Sequence, residues 1–294
     1  LKMELSFYVM NRKGYIVLRD FLKTFDSAKI KFVVTSRDEN VVEDYFEDIR
    51  SLCESYNIMV YDRKQAKPQC NGYKIAIGWK WMIKDTNKLI VIHDSLLPKY
   101  RGFSPLVNML INGEKELGVT ALYASENYDE GNIVMQRALP ITYPLKIEEA
   151  INNISILYSE VVISIYKVLL DKGNIRSVPQ NHNEATYSLW RDEEDYFINW
   201  ENDACKLKRT VDALSFPFQG AKSYLNGDLI KIEEVEIYQD RIIENRDVGK
   251  VVFIEQGFPI VVCGSGLLKV TKAVDSKKKS IFPLKKFKSR FKGV

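Results

Sequence analysis

The sequence predicts an α/β protein whose mostly parallel sheet is covered on both faces, followed by a small β-rich domain. Three observations predict it. Short, near-continuous apolar runs alternate with helical patterns as far as Leu170, the βαβ order of a parallel sheet. One run, Leu89 to His93, opens straight into a polar, loop-forming stretch, Asp94 to Gly102. Beyond Lys222 the pattern turns to short alternating strands broken by glycines, as in a partly open, OB-like barrel.

Residues 4–10 read as a first strand, 11–14 as a loop, and the stretch to Phe25 as an amphipathic helix. Residues 29–35 form a second strand. Val42, Tyr45, Phe46, Ile49 and Leu52 then fall at helical spacing within 41–56. Residues 58–61, 73–77 and 89–93 are three more strands, joined by right-handed crossovers. No GxGxxG follows the first strand, which argues against a dinucleotide site. A helix led by Pro105 spans 104–113, strands follow at 118–125 and 133–138, and 126–132 is a polar turn. Ala150, Ile154, Leu157, Val161, Ile165 and Val168 mark a long helix over 147–170, stopped at Gly173. Residues 177–185 are polar and read as a structureless linker with an exposed His182. A short helix at 204–214 precedes the β-rich part.

The chain has 294 residues, 46% apolar and 28% charged, the composition of an ordinary soluble globular protein with room for two domains. Leu1 and Lys2 ahead of Met3 read as added residues. No apolar run reaches the roughly 18 residues of a membrane span and no signal peptide opens the chain, so a cytoplasmic protein is expected. Cys53, Cys70, Cys205 and Cys263 form no CxxC pair, as expected of reduced thiols without zinc or disulfides. Net charge is +4, but residues 277–292 carry eight basic side chains and no acidic one, leaving the rest near −4. Such a tail either binds phosphates or frays into solvent.

His93-Asp94-Ser95-Leu96-Leu97-Pro98-Lys99-Tyr100-Arg101-Gly102 resembles the loop of the folate-dependent formyltransferases. A second segment matches as well: Gly118-Val119-Thr120, then Tyr128-Asp129-Glu130-Gly131, with Asp129 lying 36 residues after His93 as in that family. Ile77-Gly78-Trp79 is similar more weakly. Phe216 to Ala221 resembles a turn of the family's second domain, with Gln219 in place of a proline. The resemblance implies a Rossmann-like, folate-binding catalytic domain over 1–183 and a β-rich accessory domain with the basic tail over 184–294. It implies N10-formyltetrahydrofolate as co-substrate and no metal. His93 and Asp129 become the catalytic pair. The family's asparagine two residues before the histidine is Val91 here, on the same strand face as His93, and valine donates no hydrogen bond.

The implied reaction is acyl transfer. A neutral primary amine attacks the formyl carbon while negative charge grows on the formyl oxygen, where one positioned donor is worth roughly 100- to 1000-fold in rate. His93 is the candidate donor or base, and Asp129 the carboxylate that orients it. Ser95, Asn127 and Asn132 are candidates to replace the lost amide; the other readings of Val91 are that His93 and backbone N–H groups suffice at a lower rate, or that the chain is a non-catalytic relative. Leu96, Leu97 and Pro98, with Trp81, Met82 and Ile83, are expected to line an apolar pterin slot beside Asp129. Asn11, Arg12, Lys99, Arg101, Trp190 and Arg191 are expected to meet the substrate. The family formylates either a charged tRNA or a nucleotide-linked amino sugar. The slightly acidic body and the Trp190-Arg191-Asp192 stretch favour a sugar linked to dTDP, UDP or CMP, used in surface glycans, with methionyl-tRNA as the alternative and no membrane partner. Oligomeric state is not legible; an exposed strand of the second domain leaves room for a homodimer.

Overall fold

Val and Ile dominate the runs that become strands, because β-branched side chains fit a pleated, doubly covered sheet. The computed structural model describes residues 4–293 and divides them into two units; Leu1 to Met3 lie outside the described residues. In chain order the first unit runs β1 (Leu5–Val9), α1 (Asn11–Thr24), β2 (Ile30–Thr35), α2 (Phe46–Ser55), β3 (Val60–Asp62), β4 (Tyr73–Ile77), β5 (Leu89–His93) and β6 (Arg101–Gly102). Then come α3 (Pro105–Asn112), which from Val107 belongs to the second unit, and β7 (Glu116–Tyr123), β8 (Ile133–Pro140), α4 (Ile147–Lys172), of the first unit from Glu149, and β9 (Tyr187–Ser188). The seven-stranded sheet has the order β3-β2-β1-β4-β5-β7-β8. It is parallel as far as β5 and antiparallel through β7 and β8. Strand order reverses at β1 and β4, so the carboxyl ends of β1, β4 and β5 border the crevice where open α/β sheets bind ligands.

Several boundaries differ from the sequence reading. Residues 11–14 are the first turn of α1, not a loop. Gly14 lies so close to β1 that a Cβ would sit 2.8 Å from that of Val9, so the helix starts directly on the strand end. Residues 41–45 are not helical. The Asp44 side chain accepts from the backbone of Phe46 at 3.1 Å, and Tyr45 takes a left-handed φ of 54°. Such side-chain bonds end or delay a helix. The 177–185 stretch is fitted rather than structureless: Val178 bridges Ile133, and Gln180 is buried. α4 is long and apolar enough by composition to cross a membrane. Ala150, Ile154, Val161, Val162 and Ile165 on it are nevertheless fully buried, and its Tyr166 ring packs on Phe21 of α1.

The second unit comprises the chain from Trp190 onward together with Val107–Glu114 and Thr142–Glu148. The two earlier pieces are most of α3 with the residues after it, and the β8–α4 connection with the first residues of α4. It holds α5 (Ala204–Ala213), whose N-terminus is capped by the Asp203 carboxylate accepting from Lys206 N–H at 2.8 Å. An antiparallel sheet follows: β10 (Ala221–Leu225), β11 (Asp228–Tyr238), β12 (Val251–Glu255), β13 (Phe258–Val262), β14 (Leu267–Asp275) and β15 (Phe291–Lys292). Its order is β12-β13-β14-β11-β10-β15. The edges meet: Val251 N–H donates to Ser289 at 3.1 Å and Phe291 N–H to Gly249 at 2.7 Å. The basic tail is not frayed. Phe291 is buried, and Arg290 pairs with Asp247 at 2.7 Å.

Candidate active site

β5 delivers His93 to the carboxyl edge of the sheet, with the ring 7% exposed. Its Nε2 lies 2.8 Å from the Tyr100 carbonyl oxygen. A carbonyl only accepts, so Nε2 carries a hydrogen. Nδ1 then faces Asp129 Oδ2 at 3.5 Å. Asp129 sits in the turn between β7 and β8 with φ 57°, a conformation that side chains other than glycine adopt at a cost of about 1–3 kcal/mol. Its Oδ2 also accepts Gly102 N–H at 2.8 Å. One carboxylate oxygen thus ties the 94–102 loop to the 126–132 turn. Gly131 allows that turn to close, since a Cβ there would fall 1.7 Å from the Tyr123 carbonyl oxygen.

The loop between His93 and Gly102 is held from within. Thr120 Oγ1 donates to the Ser95 carbonyl at 2.6 Å and accepts Leu97 N–H at 3.0 Å and Gln136 Nε2–H at 2.8 Å. Ser95, fully buried, donates its hydroxyl to the Lys99 carbonyl at 2.6 Å. It is a staple of the loop. Asn127 donates to Glu130 Oε2 at 3.0 Å and is committed likewise. Asn132 is exposed, and its carbonyl accepts Tyr123 N–H at 3.0 Å. Val91 lies between Ala76 of β4 and Leu122 of β7 in register, so its nearest sheet neighbours bring no side-chain donor.

Asp94, next to His93, enters a separate network. It forms an ion pair with Lys13 of α1 and accepts a hydrogen bond from Tyr158 of α4. Burial pushes its carboxyl up, but Lys13, Tyr158 and His93 together pull it further, and the net position is below the usual carboxylate range. Burial first, and Asp94 second, push the Tyr158 phenol well above its ordinary value, so it remains an O–H donor. The sign for stability follows. The unfolded chain takes up this proton first as pH falls, so the contribution of Asp94 is complete above about pH 4 and is lost as pH drops through the folded value. Urea melts between neutral pH and pH 3 are expected to lose stability more steeply in the wild type than in Asp94→Asn; parallel curves would show that Asp94 carries no such linkage.

The remaining expected site residues separate into two groups. Arg101 is 1% exposed. Its guanidinium is taken up by Gln180 Oε1 at 2.8 Å, Glu130 at 3.5 Å and His182 Nδ1 at 3.3 Å. Leu97 is 3% exposed. Arg191 donates to Asn108 Oδ1 at 2.5 Å within the second unit, beside an exposed Trp190. Trp81 packs edge-on to Trp79 and lies under the Arg63 guanidinium at 4.2 Å, while Met82 is 52% exposed. Ile83, Leu96 and Pro98 are partly exposed and Lys99 is exposed. Asn11 donates to Asp38 Oδ2 at 2.8 Å, and Lys80 pairs with Asp38 at 2.6 Å. Burial pushes Asp38 up, yet Lys80 and Asn11 hold it below the usual range. Arg12 sits 6.0 Å from the Tyr45 ring. Sequence reasoning missed the Asp38–Lys80 pair, Lys13 and Tyr158, which meet only through the fold. It also missed the Phe103–Tyr128 ring pair, at 5.5 Å, although each ring adjoins a site residue in sequence.

Residues 50–164, which include His93 and Asp129, match the formyl transferase family model, and residues 191–291 match the model of the formyl transferase C-terminal domain. The chain belongs to the formyl transferase family. Among curated relatives, the methionyl-tRNA formyltransferase of Carboxydothermus hydrogenoformans is 32% identical over 178 residues, covering 60% of this chain and 56% of that protein. The matched region thus spans little more than half the relative's length. Among solved structures, WlaRD, a sugar 3N-formyl transferase with dTDP and 5-N-formyl-THF, superposes with a TM-score of 0.70 at 19% identity, over 92% of this chain and 99% of that one. An N-formyltransferase from Helicobacter canadensis, in complex with folinic acid and dTDP-3-aminofucose, gives 0.70 at 19% identity over 91% and 98%. These formyl transferases share the two-part fold. Among the described residues no group of His, Cys, Asp and Glu is placed to hold a metal ion.

Proposed function

We propose that this chain is an N-formyltransferase that moves the formyl group of N10-formyltetrahydrofolate to the primary amine of a nucleotide-linked amino sugar. The observation that carries the reading is the His93–Asp129 pair, Nδ1 to Oδ2 at 3.5 Å, at the carboxyl end of β5 inside the matched family region. The apolar run Trp81-Met82-Ile83, leaving β4 with half-exposed side chains, fits the planar apolar body of a folate. When bound, the folate supplies the activated formyl carbon. Because Nε2–H is committed to Tyr100, every proton that His93 exchanges passes through Nδ1. As the new C–N bond forms, Nδ1 takes the amine proton, Asp129 stabilises the imidazolium, and the same nitrogen returns the proton to the departing amine. The Tyr100 carbonyl, bonded to Nε2–H, fixes the ring so that Nδ1 lies beside Asp129.

Val91 brings no donor of its own to the formyl oxygen, and the Ser95 and Asn127 side chains each already donate a hydrogen bond within their own segment. Val91→Asn is expected to raise kcat about tenfold, below the roughly 100-fold of a donor whose surroundings are shaped for it. An unchanged kcat at unchanged folate affinity would mean that a donor is already in place.

The sugar assignment is supported by the agreement of both units with the sugar enzymes from end to end, and by a body near −4 outside residues 277–292. Such a product serves surface glycan assembly, and the enzyme would work in the cytoplasm. A second reading, methionyl-tRNA formylation, is supported by the curated relatives. Initial rates with dTDP-, UDP- and CMP-linked amino sugars against charged initiator tRNA separate the two. The proposal expects kcat/KM for one sugar to exceed that for tRNA at least 100-fold; the reverse ranking would replace it with the tRNA reading, and no turnover with any amine would make the chain a non-catalytic relative.

A further inference from the structure

We infer that Gln180 is a positioning residue for the catalytic pair: it locks the strained Asp129 turn onto the His93 loop. Gln180 is 6% exposed and uses both ends of its amide. Its Nε2 donates to the Asp129 carbonyl at 2.7 Å and to the Gly131 carbonyl at 2.8 Å. Its Oε1 accepts from Arg101 Nη2 at 2.8 Å and Nε at 3.2 Å. Arg101 lies in β6 directly before Gly102, whose N–H holds Asp129 Oδ2. One side chain therefore bridges the two segments that carry His93 and Asp129, and the Gly102–Asp129 bond closes the ring of contacts.

The need for such a bridge is visible in the backbone. Asp129 has φ 57°, which persists only where surrounding contacts over-determine it. Glu130 reaches Arg101 only at 3.5 Å, and the side chains of Asn127 and Glu130 bond each other, within the turn. Gln180 comes from outside both segments, from the stretch before β9. Without its two donated bonds the turn can relax, and Asp129 moves relative to Nδ1. Gln180 bonds neither His93 nor the Asp129 carboxylate, so it acts through placement.

The inference rests on the proposed formyl transfer for its kinetic test, but not for its spectroscopic one. Gln180→Glu keeps an acceptor for Arg101 and removes the two donors; Gln180→Leu removes both. Both variants are expected to lose about 10- to 100-fold in kcat with KM within about twofold, the scale of a misplacement near 1 Å. Gln180→Glu is expected to lower the melting temperature, because the Asp129 and Gly131 carbonyls lose their donor, but less than Gln180→Leu, which also leaves Arg101 without its acceptor. Wild-type kcat in Gln180→Glu, or a raised KM at unchanged kcat, would overturn the inference. The chain has two histidines, so its imidazole 15N spectrum holds two rings, and His93→Ala assigns them. In Gln180→Glu the His93 resonances are expected to move. If they stay in place, the positioning role is wrong even if the wild type is active. If they move while the wild type transfers no formyl group to any amine, the positioning role stands and the proposed activity falls.

Discussion

His93→Ala is expected to lower kcat for formyl transfer about 1000-fold, within the range of roughly 100- to 10,000-fold for a positioned acid–base group. KM for the formyl donor should change little, because the ring's bonded contact is the Tyr100 carbonyl and its ionic neighbour is Asp129. The substitution also removes the Nε2 hydrogen bond, at a cost of about 1 kcal/mol of stability. A melting curve measured alongside the kinetics separates that loss from the catalytic one. A His93→Ala enzyme within tenfold of wild type would mean that the proton leaves by another route.

Lys13→Met is expected to destabilise the fold by about 3–5 kcal/mol, the usual result of leaving one charge of a buried pair without its partner. Asp94 and Lys13 side chains are only 12% and 16% exposed, so solvent screens them poorly. Tyr158 supplies a hydrogen bond but no charge. Adding Asp94→Asn to Lys13→Met is expected to recover most of the loss, since the amide can still accept from Tyr158 and needs no counter-ion. Denaturant melts of the two variants decide it. A single variant within 1 kcal/mol of wild type, or a double variant no better than the single, would show that Asp94 is not held by this pair.

β4 and β5 are legible to the residue because they are continuous apolar runs bounded by charge and turn residues. His93 and Asp129 are legible because the loop and the turn each carry a long motif. The errors are of one kind. The start of α1 depends on how closely Gly14 meets Val9, and the delayed start of α2 on bonds made by the Asp44 side chain. Asp94 and Lys13 are 81 residues apart, and Gln180 stands 79 residues from Arg101. No local pattern marks such partners. Arg101 reads as a substrate contact because its type permits it, and its bonds to Gln180, Glu130 and His182 are invisible in the local sequence. Fraying is one of two readings of the tail because its lysines hide the buried Ser289 and Phe291.

The central claim is that His93 and Asp129 together transfer a formyl group to a sugar amine. It is tested most directly by incubating the wild type and Asp129→Asn with N10-[13C]formyltetrahydrofolate and nucleotide-linked amino sugars, following the label by NMR while folate binding is measured separately. The label is expected on the sugar nitrogen with the wild type, and at least 100-fold more slowly with Asp129→Asn at similar folate occupancy. Equal rates in the two proteins, or folate bound by the wild type with no label passed to any sugar amine, would contradict it.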